Sequence, residues 1–395
     1  MEENTTVSFE NTSIAFSSKS DFELKKMYFI FASVDNQFIA KVGTGLAKAG
    51  LKLNLPIKWL IRKTVYEHFC GGEDITLSQP TVEELAKYNV ETILDYSVES
   101  GKDEMGFEAT AQEILRTVEN ASKTASIPFC VFKISGIAST KLLENVQIGD
   151  LLDSQQQQAL QNIKQRINKL CQSAYDHHVP IMIDAEETWI QDVIDEMVYE
   201  MMAMYNQQKA IVWNTYQLYR KDTLGNLQHA LEQANKEDFF LGAKLVRGAY
   251  IEKERKRAKD MGYEDPMQPN KDATDNDYNQ ALTFCIENCQ RISLCCGSHN
   301  EYSNYFLMEL MKKKGLRNDD KRVYFAQLYG MSDHISFNLA HAGYNVVKYV
   351  PYGPLTAVMP YLFRRAEENT SISGQSGREL TLVKMEISRR KQSSP

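Results

Sequence analysis

The feature that most constrains this chain is a regular alternation of short β-rich runs with longer stretches of helical periodicity. The runs are Glu91–Tyr96, Phe129–Ile134, Pro180–Asp184, Ala210–Tyr216, Leu241–Gly248, Arg291–Gly297, Arg322–Gln327 and Asn345–Val350, the last expected to be broken by Pro351 and Gly353. Between them, Ser154–Ala174, Glu187–Tyr205, Leu224–Asn235, Asp277–Asn288 and Asn300–Lys314 read as helices. βα units in series build a parallel sheet, and eight of them close a (β/α)8 barrel. A doubly wound open sheet is the alternative, but it fits eight uninterrupted units without a glycine-rich first turn less well. The stretch KVGTGLAKAG (41–50) superficially suggests a dinucleotide loop. Lys48 stands where the third glycine belongs, however, and no clear strand leads in. The expected fold is therefore α/β: a (β/α)8 TIM-like barrel over 76–395, with an additional N-terminal helical segment over 1–75. Residues 1–20 are rich in Ser, Thr and Asn and are expected to be loose at the start.

Composition removes several classes of function. A chain of 395 residues with 43% apolar and 25% charged residues has globular proportions. A net charge of −7 without a long basic run argues against nucleic-acid binding. Seven cysteines lack paired zinc spacing, so no metal is expected, and their odd number suggests reduced thiols. Met1 is followed by Glu2 and Glu3, and no apolar run spans a bilayer. A cytoplasmic location is the expectation, with a mitochondrial one as the alternative. Lys52, Lys58, Arg62 and Lys63 interleave with Leu55, Ile57, Trp59 and Leu60, which suits a packed surface helix or a peripheral membrane contact.

In a barrel, the C-terminal strand ends face the active site. Here those ends carry Lys133 and Ser135; Asp184, Glu186 and Glu187; Asn214, Tyr216 and Gln217; Lys244, Arg247 and Tyr250; Ser298, His299 and Asn300; Gln327, Leu328 and Tyr329; and Tyr349. After the eighth run, YLFRRAEEN (361–369) places Arg364 and Arg365 one turn ahead of Glu368. Adjacent guanidinium forks suit a carboxylate, and they keep their charge at physiological pH. Lys133, Arg364 and Arg365 can converge on one anionic group, offset by Asp184 and Glu368, with Tyr349 and Leu328 as an apolar wall. That pocket suits a small carboxylate with an apolar body, such as an amino acid. Lys244, Arg247, Asn214, Gln217, Ser298 and His299 form a second polar cluster, suited to a phosphate-bearing cofactor. Taken alone, these residues fit hydride transfer, Schiff-base chemistry on Lys133 or Lys244, or simple binding.

The motifs KLVRGAY (244–250), IDAEE (183–187), NTYQ (214–217), SHN (298–300), AQLYGM (326–331) and YLFRRAEEN (361–369) resemble those of the proline dehydrogenase family over roughly residues 67–369. The resemblance implies an FAD-dependent barrel that oxidises L-proline to Δ1-pyrroline-5-carboxylate, passing a hydride to flavin N5 and electrons on to a membrane quinone. It implies that Arg364, Arg365 and Lys133 hold the proline carboxylate. Tyr349 and Leu328 would pack on the ring near Tyr250, while Asp184 braces the pocket and Glu368 steadies the arginine pair. Glu67 matches a glutamate that pairs with the arginine matching Arg364 and gates the site. Asn214, Gln217, Lys244, Arg247, Gly248, Ser298, His299 and Gln327 fall at cofactor-binding positions. Some branches carry arginine where this chain has Lys244. A branch that prefers hydroxyproline has a smaller residue at the position of Tyr349, so tyrosine favours proline.

Overall fold

Eight parallel strands form a closed barrel in sequential order in the structure, a computed structural model that describes residues 7–35, 58–98, 103–362 and 375–393. They are β1 (Val90–Tyr96), β2 (Phe129–Lys133), β3 (Ile181–Asp184), β4 (Val212–Gln217), β5 (Leu241–Val246), β6 (Ile292–Gly297), β7 (Val323–Leu328) and β8 (Val346–Tyr352). Each falls within two residues of its expected run at both ends. Closure rests on β1 pairing with β8, from Val90 opposite Val346 to Tyr96 opposite Tyr352. That pairing excludes the open sheet. The run 41–50 and the residues Lys52, Leu55 and Ile57 lie outside the described residues, as do Arg364, Arg365 and Glu368.

By contacts the chain divides into residues 100–326 and a second unit of residues 1–99 with 327–395. In the 100–326 unit, side chains that satisfy orphan backbone N–H groups start the helices. Asp153 and Gln156 form a reciprocal capping box at Ser154–Asp176, and Asn300 caps Glu301–Lys314. Asn270 caps Lys271–Glu287, which therefore begins six residues before the expected Asp277. The strands are apolar because both of their faces are covered, and β3 and β4 are buried along their whole length.

The other unit narrows one expectation and corrects another. Residues 7–20 are folded: Asn11 caps a helical turn, Thr12–Ala15, and Phe9 and Phe16 are buried. Phe16 packs with Leu24, Met27 and Phe31 against Leu382 and Val383 of the C-terminal helix Gln375–Ser393. Each such side chain, fully buried, contributes about 1.5–3 kcal/mol. Pro351, expected to break the last run, instead lies within β8 opposite Asp95. Its carbonyl accepts from the Gly71 N–H at 2.9 Å, and the chain then turns at Gly353, whose φ of +142° only glycine adopts readily. The segment after Glu67 thus lies along the end of β8, bridging at Gly72 and Tyr352, while the Tyr66 hydroxyl donates to the Gly353 carbonyl at 2.9 Å. Residues 355–362 are helical; Leu355, Val358, Met359, Tyr361 and Leu362 join Tyr66 and Phe69 in one apolar cluster. Among the described residues no helix is long and apolar enough to cross a membrane.

Candidate active site

At the C-terminal ends of β2, β3 and β5, one carboxylate stands between two ammonium groups. β2 and β3 pair with Lys133 directly opposite Asp184, and the Lys133 Nζ donates to Asp184 Oδ2 at 2.9 Å. Lys244, almost fully buried on β5, donates to Asp184 Oδ1. Burial alone would push the Asp184 carboxyl up, but the two lysines together hold it far below the usual carboxylate range. It is an anion at every physiological pH. Asp184 does not cap the following helix, whose N-cap is Glu187. Tyr250 is half-buried at the N-cap of Ile251–Met261.

Arg247, just beyond β5, is fixed from three sides. Its guanidinium donates to Asp275 at 2.7 Å, Ser298 Oγ at 2.8 Å and Ser303 Oγ at 3.0 Å, and it lies 4.3 Å over the Tyr278 ring. Gly248 follows with a φ of +119°, and a Cβ there would strike the Tyr219 ring. Asn214 donates to Asp195 at 2.8 Å, and Gln217 donates to the Glu186 carbonyl at 2.6 Å. His299 is half-buried in the loop after β6. Lys133, Asp184, Lys244, Arg247, Gly248, Tyr250, Gln217, Ser298 and His299 thus stand near or just past strand ends of the 100–326 unit, whereas Asn214 lies mid-strand in β4, fully buried against the helix Thr188–Tyr205.

The remaining described candidates belong to the other unit. Gln327, buried near the end of β7, accepts from the Ser336 hydroxyl at 2.8 Å. Leu328 packs against the cluster of Tyr66, Phe69 and Leu355. Tyr349 is half-buried on β8, and its carbonyl accepts from the Tyr329 N–H at 2.9 Å. Glu67 pairs with Lys26 at 3.1 Å and Lys63 at 2.7 Å, so two lysines already share its carboxylate.

The structure adds groups that strand-end reading passed over. Gln191 and Asp195, one helical turn apart on Thr188–Tyr205, bond to each other at 2.7 Å and support Asn214 from behind. Their i,i+4 spacing was the one signal available. Burial raises the Asp195 carboxyl to about 6, against the bonds from Asn214 and Gln191. A carboxyl raised above its unfolded value of about 3.9 binds more protons in the folded state, so it removes stability as pH rises between the two values. Wild-type melting temperature is therefore expected to fall relative to Asp195→Asn as pH rises from about 4 to about 6. A pH-independent difference between the two proteins would contradict this.

A parallel (β/α)8 barrel with polar strand ends built around a buried Asp184 held by Lys133 and Lys244 defines the class. The chain belongs to the proline dehydrogenase family, whose family model matches residues 78–378. Mitochondrial proline dehydrogenase 1 of Drosophila melanogaster is 34% identical over 88% of this chain, which spans 52% of that relative's length. A hydroxyproline dehydrogenase of Xenopus laevis is 29% identical over 95% of this chain and 88% of its own length. In fold, the chain is similar to proline utilization A from Bdellovibrio bacteriovorus, crystallised after inactivation by N-propargylglycine. The TM-score is 0.71 at 20% identity, covering 94% of this chain and 40% of that one.

Proposed function

We propose that the protein is an FAD-dependent dehydrogenase that oxidises L-proline to Δ1-pyrroline-5-carboxylate. The observation that carries the reading is the Lys133–Asp184–Lys244 cluster at the strand ends of a proline dehydrogenase family barrel. The donor set suits an FAD. Arg247 and Lys244 are cations fit for a pyrophosphate or the polar edge of the flavin, Asn214 and Gln217 are amides, and Ser298 and His299 add short polar groups. These residues, with Gly248 and Gln327, would hold it. Bound there, the flavin supplies the hydride-accepting chemistry.

The protein's own task is then placement. Lys133, Arg364 and Arg365 would hold the substrate carboxylate, with Glu368 steadying the arginine pair. Tyr349, Leu328 and Tyr250 would confine the pyrrolidine ring, and Glu67 would gate entry. Such orientation is worth several kcal/mol of barrier, up to about 7–11 kcal/mol for ideal geometry. The substrate amine loses its proton to solvent. Electrons would pass on to a quinone at a membrane touched peripherally, a contact the exposed Phe22, Phe29 and Trp59 suit. A cytoplasmic setting and the mitochondrial one named in the Drosophila relative both provide such a membrane. The test is product identity: turnover of L-proline should yield a cyclic imine two hydrogens lighter than the substrate. Turnover that releases any other product would defeat the reading.

A Schiff-base lyase on the same barrel is disfavoured, because ammonium groups donating to one buried anion do not present a nucleophilic amine. Hydroxyproline as substrate is the second reading, favoured by the similarity to the Xenopus relative. Tyr349 decides between the two. Its ring would occupy the space a hydroxyl on the substrate needs, so proline is preferred. Tyr349→Ser should raise the hydroxyproline-to-proline ratio of kcat/KM at least about tenfold, the range in which a pocket discriminates one small group. A wild-type ratio at or above one would refute the argument.

A further inference from the structure

We propose that Glu186 is a positioning residue for Lys133: by taking both polar groups of Ser135, its carboxylate fixes the turn that follows β2 and so sets where the Lys133 ammonium stands. The inference rests on the proline-oxidising reading, in which Lys133 holds the substrate carboxylate. The β2–β3 ladder ends at Lys133 opposite Asp184, and two residues further along each strand come Ser135 and Glu186. By then β2 has left the ladder for the tight turn Ile134–Gly136, so the Ser135 N–H has no strand carbonyl to reach. Glu186 supplies the missing rung. Its Oε1 accepts that N–H at 2.8 Å, and the Ser135 hydroxyl donates to the same carboxyl.

The carboxyl is itself held by its main chain on both sides. The Glu186 N–H donates to Gln191 Oε1 at 2.7 Å, and its carbonyl accepts from Gln217 Nε2 at 2.6 Å. Glu186 is 3% exposed, and burying a carboxylate is unfavourable unless specific donors meet it. The donors it meets belong to the residue two beyond Lys133. A surface glutamate could vary without consequence; this one ties the Asp184 loop to the Lys133 turn at the point where the ladder stops.

The arrangement also responds to pH. Burial pushes the Glu186 carboxyl up to about 7, against the Ser135 bonds and the Lys133 charge, with the neighbouring Glu187 adding to the rise. Lys133 and Glu187 are the charged groups that act on it most strongly. Hydrogen bonds to an anion are stronger than those to a neutral acid, so protonation loosens the clamp on Ser135. Proline KM is therefore expected to rise as pH falls through about 7 in a way that depends on this carboxyl.

The experiment compares steady-state proline oxidation by the holoenzyme and by Glu186→Gln across pH 6–8.5. Glutamine preserves size and one acceptor but stays neutral, and taking the ratio to wild type cancels the titration of proline itself. The ratio of variant to wild-type KM should be near one at pH 6 and rise to about fivefold or more at pH 8.5, with kcat changed less. Glu186→Ala, which removes the clamp altogether, should raise KM about tenfold at pH 8.5 and by less at pH 6, where the wild-type carboxyl is itself protonated. A Glu186→Gln ratio that is flat across pH, or a folded Glu186→Ala with wild-type KM, overturns the proposal. If Glu186→Ala does not fold, the glutamine series decides alone. A wild-type protein that fails to oxidise proline defeats the dehydrogenase reading and this inference with it, whereas an active wild type with a flat ratio defeats only the inference.

Discussion

Replacing Asp184 with alanine is expected to cost about 3–5 kcal/mol of folding stability and to abolish proline oxidation. Two ammonium groups point at one buried carboxylate, and one of them, Lys244, is itself 5% exposed. Breaking a buried ion pair by removing one partner is far more damaging than replacing the pair, because the remaining charge keeps its desolvation penalty. Asp184→Asn isolates the charge, since the amide preserves shape and a hydrogen-bond acceptor. It should recover part of the stability and none of the function that needs Lys133 and Lys244 held in place. The pH dependence has a definite sign. A carboxyl depressed by its partners contributes stability that is present above the unfolded value of about 3.9 and is lost as pH falls through the folded value. The difference between wild type and Asp184→Asn should therefore be constant around neutrality and shrink only in strong acid. Denaturant titrations at several pH values measure this; a difference that changes between about pH 6 and 8 would contradict the ion-pair account.

The second large effect is expected at Arg365. Arg365→Met should raise proline KM about a hundredfold, the equivalent of losing one bidentate charge-assisted pair worth about 3 kcal/mol. Lysine at this position should recover little, because a single ammonium does not reproduce a planar fork. The melting temperature should move by only a few degrees, since the apolar anchors of the preceding helical stretch, Leu355, Val358 and Leu362, are untouched. Normal proline affinity in Arg365→Met would remove the carboxylate clamp from the proposal.

How much could be read in advance follows from what each part of the fold depends on. The eight strands were legible because barrel strands are covered on both faces and so form short apolar runs between polar helical stretches. The strand ends were legible for the same reason: Lys133, Asp184, Lys244 and Arg247 are charges where the pattern calls for apolar residues. What was hidden depends on partners distant in sequence. Phe9 and Phe16 looked like part of a loose polar terminus, because nothing local reveals that Phe16 meets Leu382 and Val383. Pro351 read as a break, because nothing local reveals that β8 continues through it opposite Asp95 of β1, with its carbonyl accepting from the Gly71 N–H. Of the supports behind the site, Asp195 beneath Asn214 was invisible to strand-end reading, while Glu186 and Ser135 were visible there but their pairing was not. One sits on a helix, and the other acts through a backbone N–H. The sharing of Asp184 between two lysines fell between these cases. The residues were visible, but their convergence required the β2–β3 register and the position of β5.

The decisive experiment is the visible spectrum of the purified protein before and after L-proline is added without oxygen. The account predicts flavin absorption bands that bleach on addition of proline. A protein that stays colourless after FAD has been offered back, or whose flavin bands are unchanged by proline, would contradict it.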